Sequence, residues 1–567
     1  MQQFDEISRP ETRHPNEREP IMRSAADRIN PRETDAWRAR TARMMMWSLV
    51  FALGLALAPH AGAQDKPNVI IMTDLHLDDG EPDDKQSLIR FLLEANEFNV
   101  LGLIATDHTP RPVHKIREVI DAYAQVYQNL TRHASGYPTP DYLRSVTAAG
   151  NGSPTENTDG SRLIIRQVDA AQGPVWLATW GGETTLEAAL REVGSTRTPS
   201  QVDAFVSKIR LWEAWGQSGS GAWIAREFPR MLHLRDYGNL TVTSVQSNQL
   251  GESDYDWQYA DDGWYEDNIE GKGPLGALFP KRCYQTATDQ GMTLHLLSGR
   301  YGLNDPEQPT WGGWGGRFNS RKTKRPGNLF DQVPPWDYYI FTPAHDTHAG
   351  YNNRHITMAR WRRAAQNDFL ARLNWSNAST YSAANHPPVA KVDGSLTRIV
   401  TSGAVVNLSA AGSTDPDGNP LMYKWWHYPE PSTYKKPLTI SNATSRHASF
   451  VAPNVASPQT IHIILDVTDT GTPPLTRYQR VIVTVNPGAN PPAQNPTPVI
   501  YDAPWAWCGR SLNVVAGYED RAANPGEFTY TWTQVSGPGP VSFHGNSNGT
   551  ANGASPSSPV VSSFDFF

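Results

Sequence analysis

Apolar residues in the first two thirds of the chain follow two spacings. Short solid runs such as Val69-Ile70-Ile71-Met72 alternate with longer stretches in which an apolar residue returns every three or four positions. Solid runs suit strands buried on both faces, and the three-to-four spacing suits helices with one apolar side. The pattern predicts strands at 69–72, 100–105 and 175–178, with helices over 83–97, 113–130 and 185–193, and it persists to about Trp375. Strand–helix–strand order of this kind folds as α/β, a mostly parallel sheet with helices on both faces, and gathers ligands at the carboxyl ends of its strands. Past residue 386 the helical spacing stops. Short runs at 404–408, 422–426, 461–467 and 480–485, broken by turns such as Asp415-Pro416-Asp417-Gly418, predict an all-β immunoglobulin-like sandwich. Trp425 and Trp426 fall on opposite faces of one of its strands.

Ahead of the α/β pattern stands a polar leader. It ends in Arg40-Thr41-Ala42-Arg43, the apolar run MMMWSLVFALGLALA and the small-residue exit Ala61-Gly62-Ala63. Basic flank, apolar run and small exit predict a secretory signal cleaved after Ala63, with Met44 to Met46 as the preferred start, and hence a periplasmic or extracellular product. The run is shorter than the roughly 20 residues of a membrane span, so no stable insertion is expected after cleavage. The expected organisation is a leader and signal at 1–63, the α/β domain at 64–386, the sandwich at 387–486, a Pro/Asn-rich linker at 487–498 and a partial β-domain at 499–567.

Composition narrows the function. At 567 residues the chain is too long for one domain. A net charge of −7 without a dense Lys/Arg block argues against a nucleic-acid partner. The two cysteines, Cys283 and Cys508, can form neither a disulfide framework nor a Cys-based zinc site, and none of the histidines falls in HxH or HxxxH spacing. Nineteen Trp and 21 Tyr supply faces for stacking on sugar rings or bases.

The stretch Thr73-Asp74-Leu75-His76-Leu77-Asp78-Asp79-Gly80-Glu81-Pro82-Asp83-Asp84 carries six carboxylates in eleven residues, between a strand end and a helix start. Like charges this dense repel, and a cation holds them together. Oxygen-only ligands select a hard ion, calcium before magnesium or manganese. The plainer reading is that Asp83 and Asp84 serve the helix dipole and the rest is a solvated loop.

An apolar strand ending in Asp, followed by a pair of Asp opening a helix, resembles the nucleoside hydrolase superfamily. The blocks TDLHLDDGEPDDKQSLIRFLLEANEFNVLGLIATD, GPVWLATWGGETTLEAAL, DNIEGKGPLGALFP, YGLNDPEQPTWGGWGGRF and RWRRAAQNDFLARLNW resemble, more closely, the nucleoside hydrolase-like domain of a bacterial cellulose-binding protein family. NHPPVA and GSTDPDGNPLMYKWWHYPEPSTY resemble that family's C-terminal β-domain. The resemblance implies that Asp74 is general base and calcium ligand. It implies further calcium contacts from Asp83 and Asp84, with Asp78 and Asp79 in reserve, from the Thr184 carbonyl and from Asp289. A calcium-held water would then attack a glycosidic bond, O- or N-glycosidic, of a carbohydrate or nucleoside substrate, with Asp74 taking the proton. Two departures stand out: Thr288 occupies the place of a leaving-group His, and acidic residues are missing around Gln217-Ser218-Gly219-Ser220.

Trp180, Glu183, Trp311 and Trp314, in Gly-rich contexts, are the candidate substrate contacts, and His76 is a reserve site residue within the acidic loop. Two functions therefore stay open. One is a secreted calcium-dependent hydrolase whose β-domain attaches to cellulose or a related polysaccharide. The other is a glycan-binding protein on a hydrolase-like fold without catalysis. A purely adhesive protein leaves the acidic loop unused.

Overall fold

The computed structural model describes residues 66–75, 82–106, 113–214, 216–236, 255–281, 289–325 and 338–489, and the backbone of six strands between 497 and 566. The leader and signal, His76, Asp78, Asp79, Thr288 and both cysteines lie outside the described residues.

The α/β part is built on six parallel strands: β1 (Asn68–Thr73), β2 (Asn99–Ala105), β3 (Thr147–Ala149), β4 (Val175–Thr179), β5 (Ile209–Ala214) and β6 (Leu232–Asp236). Their order across the sheet is β3-β2-β1-β4-β5-β6, every neighbour parallel. Side chains of β1 alternate between two cores, as the period of a strand dictates. Val69 and Ile71 face a core shared with helices α1 (Asp83–Leu93), α2 (Val113–His133), α6 (Gly291–Arg300) and α7 (Arg362–Asn377). Ile70 and Met72 face a second core covered by α3 (Asp159–Ala170), α4 (Thr184–Thr196) and α5 (Gly219–Glu227). This is the two-faced sheet that the apolar runs predict. The helix expected over 83–97 ends at Leu93 and passes into a short 3-10 turn, Ala95–Glu97.

The sandwich pairs β8 (Val405–Ser409) with β10 (His447–Val451), facing a four-stranded sheet ordered β7 (Thr397–Thr401), β12 (Thr476–Asn486), β11 (Gln459–Asp469) and β9 (Leu421–Tyr428). Val406, Leu408 and Phe450 meet Trp425, Ile463 and Val483 between the two sheets. The outer face of the larger sheet packs on the α/β part through polar and aromatic contacts. Trp314 Nε1 donates to Tyr478 Oη at 3.2 Å, Tyr428 Oη donates to Asp346 Oδ2 at 2.5 Å, and Arg477 Nη2 donates to Asp368 Oδ1 at 2.8 Å. Trp425 and Trp426 take the two opposite faces, Trp425 in the sandwich core and Trp426 against the α/β side. Further on, strands Thr497–Asp502, Ser511–Glu519, Val560–Phe566 and Val541–Gly545 form an antiparallel sheet, and Phe528–Thr531 pairs with Asn548–Ala551. No described helix is long and apolar enough to cross a membrane.

Candidate functional site

The chain leaves β1 for β2 on one side of the sheet and returns to β4 on the other, so β1 and β4 flank the point where strand order reverses. Crevices form at such points, just beyond the carboxyl ends of the strands. Asp74 follows the last residue of β1, and Trp180-Gly181-Gly182-Glu183 leads from β4 into α4. The close approach of these two loops requires a glycine: a Cβ on Gly181 would lie 2.4 Å from Asp74 Cγ and 2.6 Å from Oδ2.

Asp83 and Asp84 open α1, and Asp289 stands just ahead of α6. One carboxylate oxygen from each of the three can be chosen so that all lie within 4.8 Å of one another. Asp74, Asp83, Asp84 and Asp289 are all buried. The two helix starts are laced together: the Asp289 amide donates to Ser87 Oγ at 3.3 Å, and Gln290 Nε2 donates to the Ser87 carbonyl at 2.6 Å. Thr73 Oγ1 donates to Asp84 Oδ1. Burial, then the charges of Asp74, Asp289 and Asp83, push the Asp84 carboxyl well above the usual carboxylate range, against the opposing hydrogen bond from Thr73. Two unit charges 4.8 Å apart repel by about 3 kcal/mol at an effective dielectric of about 20. Packed oxygen donors with negative charge left over fit a hard cation such as calcium, with no soft ligand in the set.

Of the metal contacts expected from the sequence, Asp83, Asp84 and Asp289 come together, and Asp74 is close enough to Asp84 to influence its ionisation. Thr184 is the first residue of α4, directly after the loop that packs against Asp74. Of the four expected substrate contacts, the structure buries three. Trp180 and Trp314 are only 1% and 0% exposed and belong to the hydrophobic core, so neither offers an open stacking face. Glu183 is fully buried; it accepts from Thr179 Oγ1 at 3.1 Å and Ser218 Oγ at 2.7 Å, so its carboxylate braces the β4–α4 turn. Trp311 is partly exposed and packs edge-on against His462 of the sandwich, with Arg480 over its ring. Sequence reasoning missed Ser87 and Gly181 as supports of the cluster. Ser87 was visible as the Ser of the P-D-D-x-x-S run and Gly181 as the first Gly of TWGGE, but nothing local shows what either touches.

Two family profiles match the chain. Residues 68–318 match "Cellulose-binding Sde182, nucleoside hydrolase-like domain", and residues 405–485 match "Cellulose-binding protein Sde0182, C-terminal domain". A solved nucleoside hydrolase-related hypothetical protein from Saccharophagus degradans, associated with carbohydrate metabolism, is 36% identical, covering 74% of this chain and 100% of its own, with a TM-score of 0.64. The chain belongs to this cellulose-binding family. Its α/β part has the family's nucleoside hydrolase-like fold, followed by the family's β-domain. An inosine-uridine preferring nucleoside hydrolase from Bacillus anthracis is 14% identical, covering 55% of this chain and 100% of its own at a TM-score of 0.29, too low to inform activity. No curated protein matches the sequence.

Proposed function

We propose that this is an exported polysaccharide-binding protein whose α/β domain hydrolyses a glycosidic bond with the help of calcium held in the acidic cluster. The observation that carries the reading is the buried set Asp83, Asp84 and Asp289 beside Asp74, at the point where the strand order reverses. Asp74, Asp83, Asp84 and Asp289 would hold the ion, together with the Thr184 carbonyl. When bound, calcium supplies positive charge that gathers hydroxyl oxygens and acidifies a water. Asp74, with the Gly181 backbone packed close against its side chain, takes the proton from the attacking water as general base. Ser87 and Gln290 fix the second helix start against the first, so the carboxylates keep their spacing through the reaction. The neighbouring carboxylates stabilise an oxocarbenium-like transition state electrostatically.

A second reading has its own support. With Trp180, Glu183 and Trp314 buried, three of the four substrate contacts expected from the sequence are spent on the fold, which favours a protein that does not cleave at the acidic site and holds glycan elsewhere on its surface. Calorimetric titration of calcium into the full chain, wild type beside Asp74→Asn, followed by reducing-sugar assays on cellulose and other neutral polysaccharides, separates the two. Calcium binding with calcium-dependent release of sugar, lost in Asp74→Asn, supports the hydrolase. Retention on polysaccharide without release, in the presence of calcium, overturns it in favour of the binder.

A further inference from the structure

A cleft of about 710 Å³ opens between the α/β part and the outer face of the larger sandwich sheet, within the size range of small-molecule and sugar sites. Strand register explains its floor. On that outer face, cross-strand rows run Met422–Thr468–Thr476, Lys424–Asp466–Tyr478, Trp426–Ile464–Arg480 and Tyr428–His462. The last row and Ile464 and Arg480 are sealed against the α/β part, whereas Met422 is 53% exposed and the first two rows line the cleft. The opposite wall comes from Tyr255 and Tyr259 and from α7 residues Arg363, Ala364 and Asn367.

The chemistry of the lining is specific. Trp426 is fixed at the edge of the floor, its Nε1 donating to both oxygens of Asp466 at 3.1 Å. Tyr259 is half-buried with the Arg363 guanidinium over its ring. Three cations, Arg360, Arg363 and Lys424, meet three carboxylates, Asp256, Glu430 and Asp466. They are largely paired: Arg363 with Asp256 at 3.0 Å, and Arg360 with Asp346, just outside the lining, at 3.1 Å and more loosely with Glu430 at 3.9 Å. Burial lowers His348 and His427 to about 4, so both are neutral at pH 7. A cleft with aromatic side chains, many hydrogen-bonding groups and balanced charge has nothing to attract a polyanion, and it matches a hydroxyl-rich neutral ligand.

From this arrangement we infer that the interdomain cleft is a glycan site that grips a segment of neutral β-glucan, built jointly by both domains. The inference rests on the polysaccharide-binding part of the proposed function and is independent of catalysis. The test uses the full chain, titrated calorimetrically with cellohexaose and, separately, with an oligogalacturonate of equal length. Tyr259→Ala removes a wall ring, and Met422→Arg places bulk and charge on the exposed floor. Trp257→Ala is the control, being 50% exposed in the same turn as Tyr259 but outside the lining. The expected result is cellohexaose binding by wild type and Trp257→Ala, weakened at least about tenfold in both cleft variants with melting temperatures unchanged, and no preference for oligogalacturonate. Undiminished binding by either cleft variant, equal loss in the control, or preference for the polyanion overturns the cleft assignment while leaving polysaccharide binding intact. Failure of wild type to bind either cellohexaose or insoluble cellulose overturns both.

Discussion

Replacing Asp84 by Asn should stabilise the ion-free protein, the reverse of what a buried, hydrogen-bonded carboxylate normally predicts. Asp84 shares a 4.8 Å set of oxygens with Asp83 and Asp289 and also feels Asp74. Each like-charge pair at that distance costs about 3 kcal/mol at an effective dielectric of about 20. Part of this is already relieved, because the Asp84 carboxyl, pushed upward by burial and its neighbours, can hold a proton in place of its charge. Asn keeps the oxygen that accepts from Thr73 and removes the charge for good. A net gain of about 2 kcal/mol follows, which is a rise in melting temperature of about 4 °C. With calcium the order reverses: wild type gains about 2.7 kcal/mol at one hundred times its dissociation constant, and Asp84→Asn gains little. Differential scanning calorimetry of the full chain in chelator and in calcium reads both signs. A variant that melts lower than wild type in chelator, yet keeps the full calcium-induced rise, would refute the reasoning. The carboxylates would then be satisfied within the protein.

Three further outcomes follow from other parts of the structure. Gly181→Ala brings a Cβ to 2.4 Å from Asp74 Cγ, so one of the two loops must move by about 1 Å; a stability loss of about 1–3 kcal/mol and weaker calcium binding are expected, read by melting and calorimetry. Asp368→Asn leaves the buried Arg372 and Arg477 guanidinium groups without their shared carboxylate and should cost about 3–5 kcal/mol in urea unfolding. His295 is fully buried and its pKa is lowered to about 4 by that burial, against a hydrogen bond to the Pro306 carbonyl. Below about pH 6.5 the unfolded chain takes up a proton that the folded chain refuses, so this stability is present at neutral pH and lost as pH falls toward 4. Between pH 7 and 5 the loss is about 2 kcal/mol, and His295→Gln should flatten the urea-measured slope by that amount.

The α/β pattern was legible because its strands are buried on both faces: β1 puts Val69 and Ile71 into one core and Ile70 and Met72 into the other, leaving a solid apolar run that no surface element would carry. The acidic cluster was legible in part, since Asp74, Asp83 and Asp84 lie close in sequence, and Asp289 came from the family pattern rather than from spacing. What the sequence did not show is that Trp180, Trp314 and Glu183, offered as substrate contacts, are buried. A Trp between glycines looks the same in sequence whether the glycines open space for a ligand or let the backbone pack tightly. Here Gly313 and Gly315, beside Trp314, press on Asn304 and on His295, and the indole fills the space between Tyr301 and Tyr478. The cleft between the domains could not be seen from the sequence at all, because its two walls are joined only by the pairing of strands and helices far apart in the chain.

The seam between the domains also bears on heredity. A domain that can pass from one protein to another needs a surface whose polar groups stay satisfied when its neighbour is removed. Here Arg477 reaches out of the sandwich to Asp368, Asp346 receives Tyr428 from across the boundary, and Arg480 donates to the carbonyls of Leu303 and Gly312. Cutting the chain near residue 386 would open a face of half-neutralised ions on both pieces, and a foreign partner would lack the matching charges. The pair is therefore expected to travel through evolution together, each domain changing at this face only in step with the other.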